Sequence, residues 1–237
     1  MNDFLNKAPI ELFFWPTSNG FKISIFLEEA NYPYNVNYVN ITTGEQFKPT
    51  FLKISPNNRM PAIIDPDGPD GEEISIFESG AILQYLGEKT GMFYPKEHRK
   101  RIEVDEWLFW QVGNLGPMGG QAHHFRNYSQ KKIQYAIDRY TNEVNRLYGV
   151  LDKKLSDGRE YIAEEYSIAD MACIGWIRSP ERKGQNLEDF PFLKGWFDRV
   201  INRPAVLKGI QLGEEKRHDL SKDLEAQKIL FGQRSTK

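Results

Sequence analysis

Strand signals stop at about residue 92, and no other feature of the sequence restricts the fold as much. Upstream of that point, extended and helical patterns alternate. Ile10-Glu11-Leu12-Phe13-Phe14 is a short apolar run closed by Pro16 and Gly20, the pattern of a buried strand. Ile23, Phe26, Leu27 and Ala30 recur at i, i+3, i+4 and i+7, one face of an amphipathic helix. Tyr34, Val36 and Tyr38 alternate with Asn35 and Asn37, a second strand. Residues 45–54 read as helical but are interrupted by Pro49, so a short or irregular helix is expected. Residues 61–65 and 73–77 flank Pro66-Asp67-Gly68-Pro69-Asp70-Gly71, a run of turn formers, and so make a hairpin. A helix starts near Ser79, turns Ala81, Ile82, Tyr85 and Leu86 inward, and stops at Gly91. Strand-helix-strand-helix-strand-strand-helix calls for parallel pairing through a helical crossover, then an antiparallel pair. A small mixed sheet with helices on its faces satisfies both.

Downstream only helical periodicity remains. Residues 102–110 open one helix, which the glycine-rich stretch from Gly113 to Gly120 is expected to bend or end. Residues 131–155 form another, with Tyr140, Val144, Leu147 and Leu151 at three-to-four spacing. Ser167 and Asp170 sit three apart, so each can cap the other's backbone amide. Residues 190–202 give a last clear helix before Pro204, and the charged stretch beyond 212 reads as a loosely ordered tail. A chain of 237 residues has room for two modest domains. The expected class is α/β plus all-α: a βαβαββα domain over 8–92, an all-helical domain over 98–212, and a tail over 213–237.

Charge narrows the function. With a net charge of −2 and a pI near 6.1, the chain has no overall basic field to draw nucleic acid or an anionic membrane. No apolar run approaches the ~18 residues of a membrane helix, and the first residues lack the layout of a signal peptide. One cysteine rules out an intramolecular disulfide and a C-x-x-C pair, which suits a reducing, cytoplasmic setting. That residue, Cys173, lies in an apolar helical stretch where cysteines are usually buried and inert. No metal site is expected: His123 and His124 are adjacent, face different directions on a helix, and have no further ligands at suitable spacing. Trp107 and Trp110, at i and i+3, read as core packing, with lining of the pocket mouth by one of them as the alternative.

Three stretches of the first domain are unusual for plain scaffold. Trp15-Pro16-Thr17-Ser18-Asn19-Gly20 joins a strand's carboxyl end to a helix's amino end, where open α/β sheets bind ligands and the helix dipole favours an anion. Alone, an N-cap by Thr17 or Ser18 explains it. Ser55-Pro56-Asn57-Asn58-Arg59-Met60-Pro61-Ala62 leads from a polar loop into a strand, and a cis Met60-Pro61 bond there would expose the Met60 backbone to a peptide ligand. In Phe77-Glu78-Ser79-Gly80, the Ser79 hydroxyl and the first helical N–H groups make a cradle for a carboxylate. Glu78 would repel that carboxylate unless the ligand also carries an ammonium group, as the end of an amino acid does. Capping alone would again account for the turn.

In this order and spacing the three stretches resemble the glutathione transferase superfamily, over residues ~8 to ~210. That resemblance implies a thioredoxin-like N-terminal domain that binds glutathione and a helical-bundle C-terminal domain. Pro61 matches the superfamily's cis-proline, Glu78-Ser79 its γ-glutamyl-binding pair, and Ser167-Ile168-Ala169-Asp170 its helical capping box. Within it the chain is most similar to the nu class of bacterial disulfide-bond reductases, a branch related to a yeast nitrogen-catabolite regulator. The marks are Pro16-Thr17-Ser18-Asn19-Gly20, Ile54-Ser55-Pro56-Asn57-Asn58, Phe77-Glu78-Ser79-Gly80-Ala81-Ile82-Leu83, Trp107-Leu108-Phe109-Trp110-Gln111 and Gly116-Pro117-Met118. The resemblance implies Thr17 and Asn19 near the glutathione sulfur as catalytic groups, and Gln46 at the glycyl end. Met60 would pair with the cysteinyl backbone, flanked by Arg59 and Pro61, while Glu78 and Ser79 hold the γ-glutamyl end. Arg139 would reach the ligand, across a dimer interface. The implied activity is glutathione-dependent disulfide reduction by a homodimer, with glutathione as co-substrate and small disulfides or electrophiles as substrates. The rival readings are conjugation of glutathione to electrophiles, a non-catalytic glutathione-binding regulator, and a domain of the translation machinery. The short Met1–Pro9 arm weighs against the regulator, since it is not the Asn/Gln-rich arm of the yeast protein.

Overall fold

β1 (Ile10–Phe14) shows why a sheet forms here: Ile10, Leu12 and Phe14 have no exposed surface, while Glu11 and Phe13 between them stay half-buried. The structure is a computed structural model describing residues 4, 6–217 and 219–234. Two units emerge, one from residues up to 85 together with those from 208 on, the other from 86–207.

In the first unit β1 leads through α1 (Ser18–Ala30) to β2 (Tyr34–Tyr38). A 3₁₀ turn (Glu45–Phe47) and the single turn α2 (Pro49–Leu52) follow, with Pro49 in the first turn of α2, where its missing N–H costs nothing. β3 (Ala62–Asp65), β4 (Ile74–Phe77) and α3 (Ser79–Thr90) complete the sequence. The strands form one mixed sheet in the order β2-β1-β3-β4, with β1 and β2 parallel and the other pairs antiparallel, as the element order calls for. Cross-strand pairs support the register: Asn35 and Asn37 each donate to the Glu11 carboxylate at 2.6 Å. α3 ends where expected, at Gly91 with φ +67°, a conformation glycine adopts without strain.

α1 departs from expectation. The predicted face, Ile23, Phe26, Leu27 and Ala30, is buried, but so are Phe21, Lys22, Ser24 and Ile25. The covering comes from the far end of the chain. A Cβ at Gly209 would lie 2.7 Å from the Ile25 nitrogen, so only glycine permits the approach, and the Ser24 hydroxyl donates to the Gly209 carbonyl at 2.8 Å. Lys208 pairs with Glu28 at 2.7 Å, Arg217 stacks over the Phe21 ring, and Lys216 sits over that of Tyr38.

The second unit holds α4 (His98–Trp110), α5 (Gly116–His123), α6 (Gln134–Leu155), α7 (Ile168–Ile177) and α8 (Pro191–Ile201). The glycine-rich stretch does not end the helix. π-Turns at Gln111–Leu115 and His124–Tyr128 flank α5, and the junction residues Gln111, Leu115 and His124 keep right-handed helical dihedrals. The glycines provide flat space: a Cβ at Gly119 would lie 3.2 Å from the Trp176 ring. Trp107 and Trp110 pack edge to face with centroids 5.3 Å apart, but both stay half-buried rather than joining the core as expected. α6 buries Val144, Leu147, Tyr148, Leu151 and Leu155 along one stripe, while α7 is buried on nearly every side.

The capping box forms: Ser167 accepts from the Ala169 N–H, and Asp170 accepts from the Ser167 N–H at 3.0 Å. Asp170 also takes the Ile162 N–H at 3.0 Å and the Trp196 indole N–H at 2.7 Å. Burial pushes its carboxyl up to about 6, against the pull of these donors.

Pro204 closes α8 and also opens α9 (Pro204–Gln211), standing at a first helical position. Beyond 212, the stretch read as a tail carries α10 (Leu224–Phe231), capped by Asp223 on the Ala226 N–H at 2.9 Å and burying Ala226 and Gln227.

Candidate functional site

Thr17 is the N-cap of α1, its hydroxyl oxygen accepting from the Gly20 N–H at 3.2 Å. The turn is tight: a Cβ on Gly20 would lie 2.4 Å from the Trp15 carbonyl oxygen. Asn19, on the first turn of α1, projects into a pocket of about 220 Å³.

The opposite wall is the loop before β3. Buried Ser55 donates to the Arg59 carbonyl at 2.8 Å and accepts the Asn58 N–H at 2.9 Å, with Asn58 in the left-handed region at φ +47°. This folds the loop back on itself and turns Arg59 and Met60 to the pocket. The Met60–Pro61 bond is cis, and neither the N–H nor the C=O of Met60 is hydrogen-bonded among the described residues. An extended peptide could take both groups, as an added strand does.

The third wall is the turn from β4 into α3. Glu78 has φ +69°, a strained conformation for a side-chain-bearing residue, of the kind that clusters at ligand sites. Asn57 donates to its carboxylate at 3.1 Å, tying the two walls together. Ser79 is 8% exposed, lines the pocket, and accepts a hydrogen bond at 3.1 Å from the ammonium of Lys22, which is itself only 1% exposed. At the start of α3 the first helical N–H groups have no intrahelical partner and carry the positive end of the dipole. The chemistry of this corner favours an anion, beside the Glu78 carboxylate. At about 220 Å³ the pocket falls below the ~300–1,000 Å³ of drug-sized sites, a size suited to one end of a longer ligand.

Of the residues singled out in sequence, Asn19, Arg59, Met60, Pro61, Glu78 and Ser79 converge on this pocket. Thr17 caps α1 two residues before Asn19. Gln46 sits fully buried in the 3₁₀ turn, donating to the Ile41 carbonyl at 3.3 Å, with its side-chain oxygen unpaired among the described residues. Arg139 lies exposed on α6, in the second unit. Sequence reasoning missed Lys22 and the tie from Asn57. A signal existed for Lys22: it stands between Phe21 and Ile23, where a lone cation needs a partner. Gln233, near the chain's end, accepts from the Arg59 guanidinium at 3.0 Å, a contact no local pattern announces. Cys173 is fully buried in α7. Among the described residues no group of three or more His, Cys, Asp or Glu side chains could hold a metal ion, and no helix is long and apolar enough to cross a membrane.

Two family models match the sequence: the N-terminal domain of glutathione S-transferase over residues 8–88 and its C-terminal domain over 117–204. The disulfide-bond oxidoreductase YfcG of Escherichia coli is 49% identical over 211 residues, covering 87% of this chain and 98% of that protein. The transcriptional regulator URE2 of Saccharomyces cerevisiae is 33% identical over 232 residues, 81% of this chain and 65% of that protein. Among solved structures, a glutathione transferase from Pseudomonas putida, with one glutathione disulfide bound per subunit, superimposes with a TM-score of 0.81 at 40% identity. That match covers 86% of this chain and 91% of that one. A glutathione transferase from Burkholderia graminis, with two glutathione molecules per subunit, gives the same TM-score and identity over 86% and 88% of the two chains.

Proposed function

The chain belongs to the glutathione S-transferase family, and we propose that it is a glutathione-dependent disulfide-bond reductase of the nu-class branch. One observation carries this: the chain's single cysteine, Cys173, is fully buried, so the protein offers no sulfur of its own to a disulfide. The sulfur chemistry falls to glutathione, and two glutathiones reduce one substrate disulfide to two thiols while becoming glutathione disulfide. The electrons balance without any protein thiol. The relative named a disulfide-bond oxidoreductase, and the neighbour holding glutathione disulfide, support the same reading.

In this mechanism the protein positions and polarises. The Ser79 hydroxyl and the first N–H groups of α3 hold the γ-glutamyl carboxylate, and Glu78 takes the adjoining ammonium. Met60 pairs backbone to backbone with the cysteinyl unit beside Pro61, Arg59 stands at the rim, and Gln46, buried against the Ile41 carbonyl, serves the glycyl end once its side chain turns outward. Thr17 and Asn19 face the sulfur. The α1 N-terminus and the Thr17 hydroxyl favour the thiolate over the thiol, because both interact better with the charged form. Arg139 acts from a partner subunit. We place the enzyme in the cytoplasm, whose glutathione pool keeps the co-substrate reduced, and as a homodimer. Phe109 and Tyr135 support the pairing: at 61% and 79% exposure, they leave apolar surface in the second unit for a second copy to cover.

Steady-state reduction of 2-hydroxyethyl disulfide by glutathione tests the function. The expected result is turnover by wild type that Cys173→Ala retains in full. A folded, glutathione-binding protein without such turnover would overturn it.

A further inference from the structure

We infer that Lys22 is a positioning residue that fits the site to a zwitterionic end group by acting on the ligand's α-carboxylate through Ser79; this rests on the reading that Ser79 holds the γ-glutamyl end. Lys22 lies in α1 at 1% exposure, and its ammonium is 3.1 Å from the hydroxyl oxygen of Ser79, 57 residues along the chain. Lysine is almost never buried to this degree, because taking an ammonium out of water costs several kcal/mol. Phe21, Ile23, Ile25 and Phe26 around it show that the helix has no shortage of apolar residues for packing. Something other than packing accounts for the cation.

The chemistry of the contact indicates what. An ammonium only donates, so in this pair the Ser79 oxygen must accept. The hydroxyl's single proton is therefore directed away from Lys22, and Ser79 lines the pocket. A hydroxyl that accepts from a cation is polarised and becomes a stronger donor in turn. The charge behind it is shielded from solvent, so its attraction for a carboxylate in the pocket is little screened. Glu78, at the mouth of the same turn, has the opposite sign. The turn thus offers positive potential on its Ser79 side and negative on its Glu78 side, the complement of one carbon carrying both a carboxylate and an ammonium.

Calorimetric titration with glutathione and with γ-aminobutyryl-cysteinyl-glycine, which lacks only the α-carboxylate, tests this. Wild type should bind the analogue about tenfold or more weaker, as expected for loss of a charged hydrogen bond. Lys22→Met should weaken glutathione by a similar factor and leave the analogue within about twofold, closing the gap. Lys22→Arg should keep much of the gap. A Lys22→Met protein that loses both ligands equally, or that keeps the full gap, overturns the inference. Should Lys22→Met fail to fold, Lys22→Gln, which retains a neutral donor, carries the same comparison. Ser79→Ala separates the two levels: if it keeps the gap, the γ-glutamyl reading of the turn fails. If it loses the gap while the Lys22 variants keep it, the role of Lys22 alone fails.

Discussion

Thr17 accepts the Gly20 N–H and still has its own proton to give. A hydroxyl accepts and donates at once, so capping α1 and stabilising a thiolate are compatible roles for one atom. They can be separated. Thr17→Asp caps a helix at least as well as threonine but sets a negative charge beside the thiolate. We expect Thr17→Asp to keep the wild-type melting temperature and lose disulfide turnover by about a hundredfold or more, a loss of ~3 kcal/mol of stabilisation. Thr17→Ser should keep both, and near wild-type turnover in Thr17→Asp would leave the hydroxyl as a cap alone. His123 makes a second residue-level prediction. Burial, then the charges of Arg182, Lys183 and His124, hold its imidazole down to about 4, and its Nε2 is buried without a hydrogen-bond partner among the described residues. An unfolded histidine titrates near 6.5, so below that pH the unfolded chain takes up the proton first. Stability should be complete above about pH 6.5 and fall by up to about 3 kcal/mol as pH drops through about 4. Urea titrations at pH 7, 5.5 and 4 should show this slope, flattened in His123→Phe.

At the scale of elements, the start of α7 concentrates the most bonding in one side chain. Asp170 receives three N–H groups, from Ile162 and Ser167 in the loop before α7 and from Trp196 on α8. Asp170→Ala strands all three donors in the interior, and should lower stability by about 3 kcal/mol or more, read as a shift of the urea midpoint. The capping box was legible in sequence because Ser167 and Asp170 are three residues apart. The same holds for β1, the hairpin of β3 and β4, the end of α3 at Gly91, and the three pocket walls, each written in residues close along the chain. The full burial of α1 was not legible, since the Ser24–Gly209 hydrogen bond that reports it spans 185 residues. Nor was the continuity through Gly113–Gly120, where the glycines that suggest a break instead make room for Trp176. Lys22 escaped for a related reason: the periodicity of a helix face registers apolar residues, and a buried cation looks like an interruption of it. Helix α10 is only eight residues long, too brief for a periodic signal.

For the whole molecule, the first unit is discontinuous in sequence. Its sheet and pocket come from residues up to 85, while the cover of α1 comes from residues 208 onward. A chain ending at 212 retains the Gly209 contact but loses Arg217 over Phe21, Lys216 over Tyr38, helix α10 and the Gln233 bond to Arg59. We expect it to fold with about 1–3 kcal/mol less stability and a raised KM for glutathione. A chain ending at 207 also uncovers Ser24 and Ile25, and should lose amide-exchange protection throughout α1. Unchanged protection in α1 would show that the returning segment is ornamental. The same discontinuity has a bearing on biosynthesis. A ribosome delivers β1, α1 and the Glu78–Ser79 turn well before it has made any of the residues that cover them. The helical unit is contiguous over 86–207, whereas the glutathione-binding unit stays incomplete until residues 208–234 have also emerged. The half of the enzyme translated first is thus the half finished last, and until then α1 is a hydrophobic surface that a chaperone could bind.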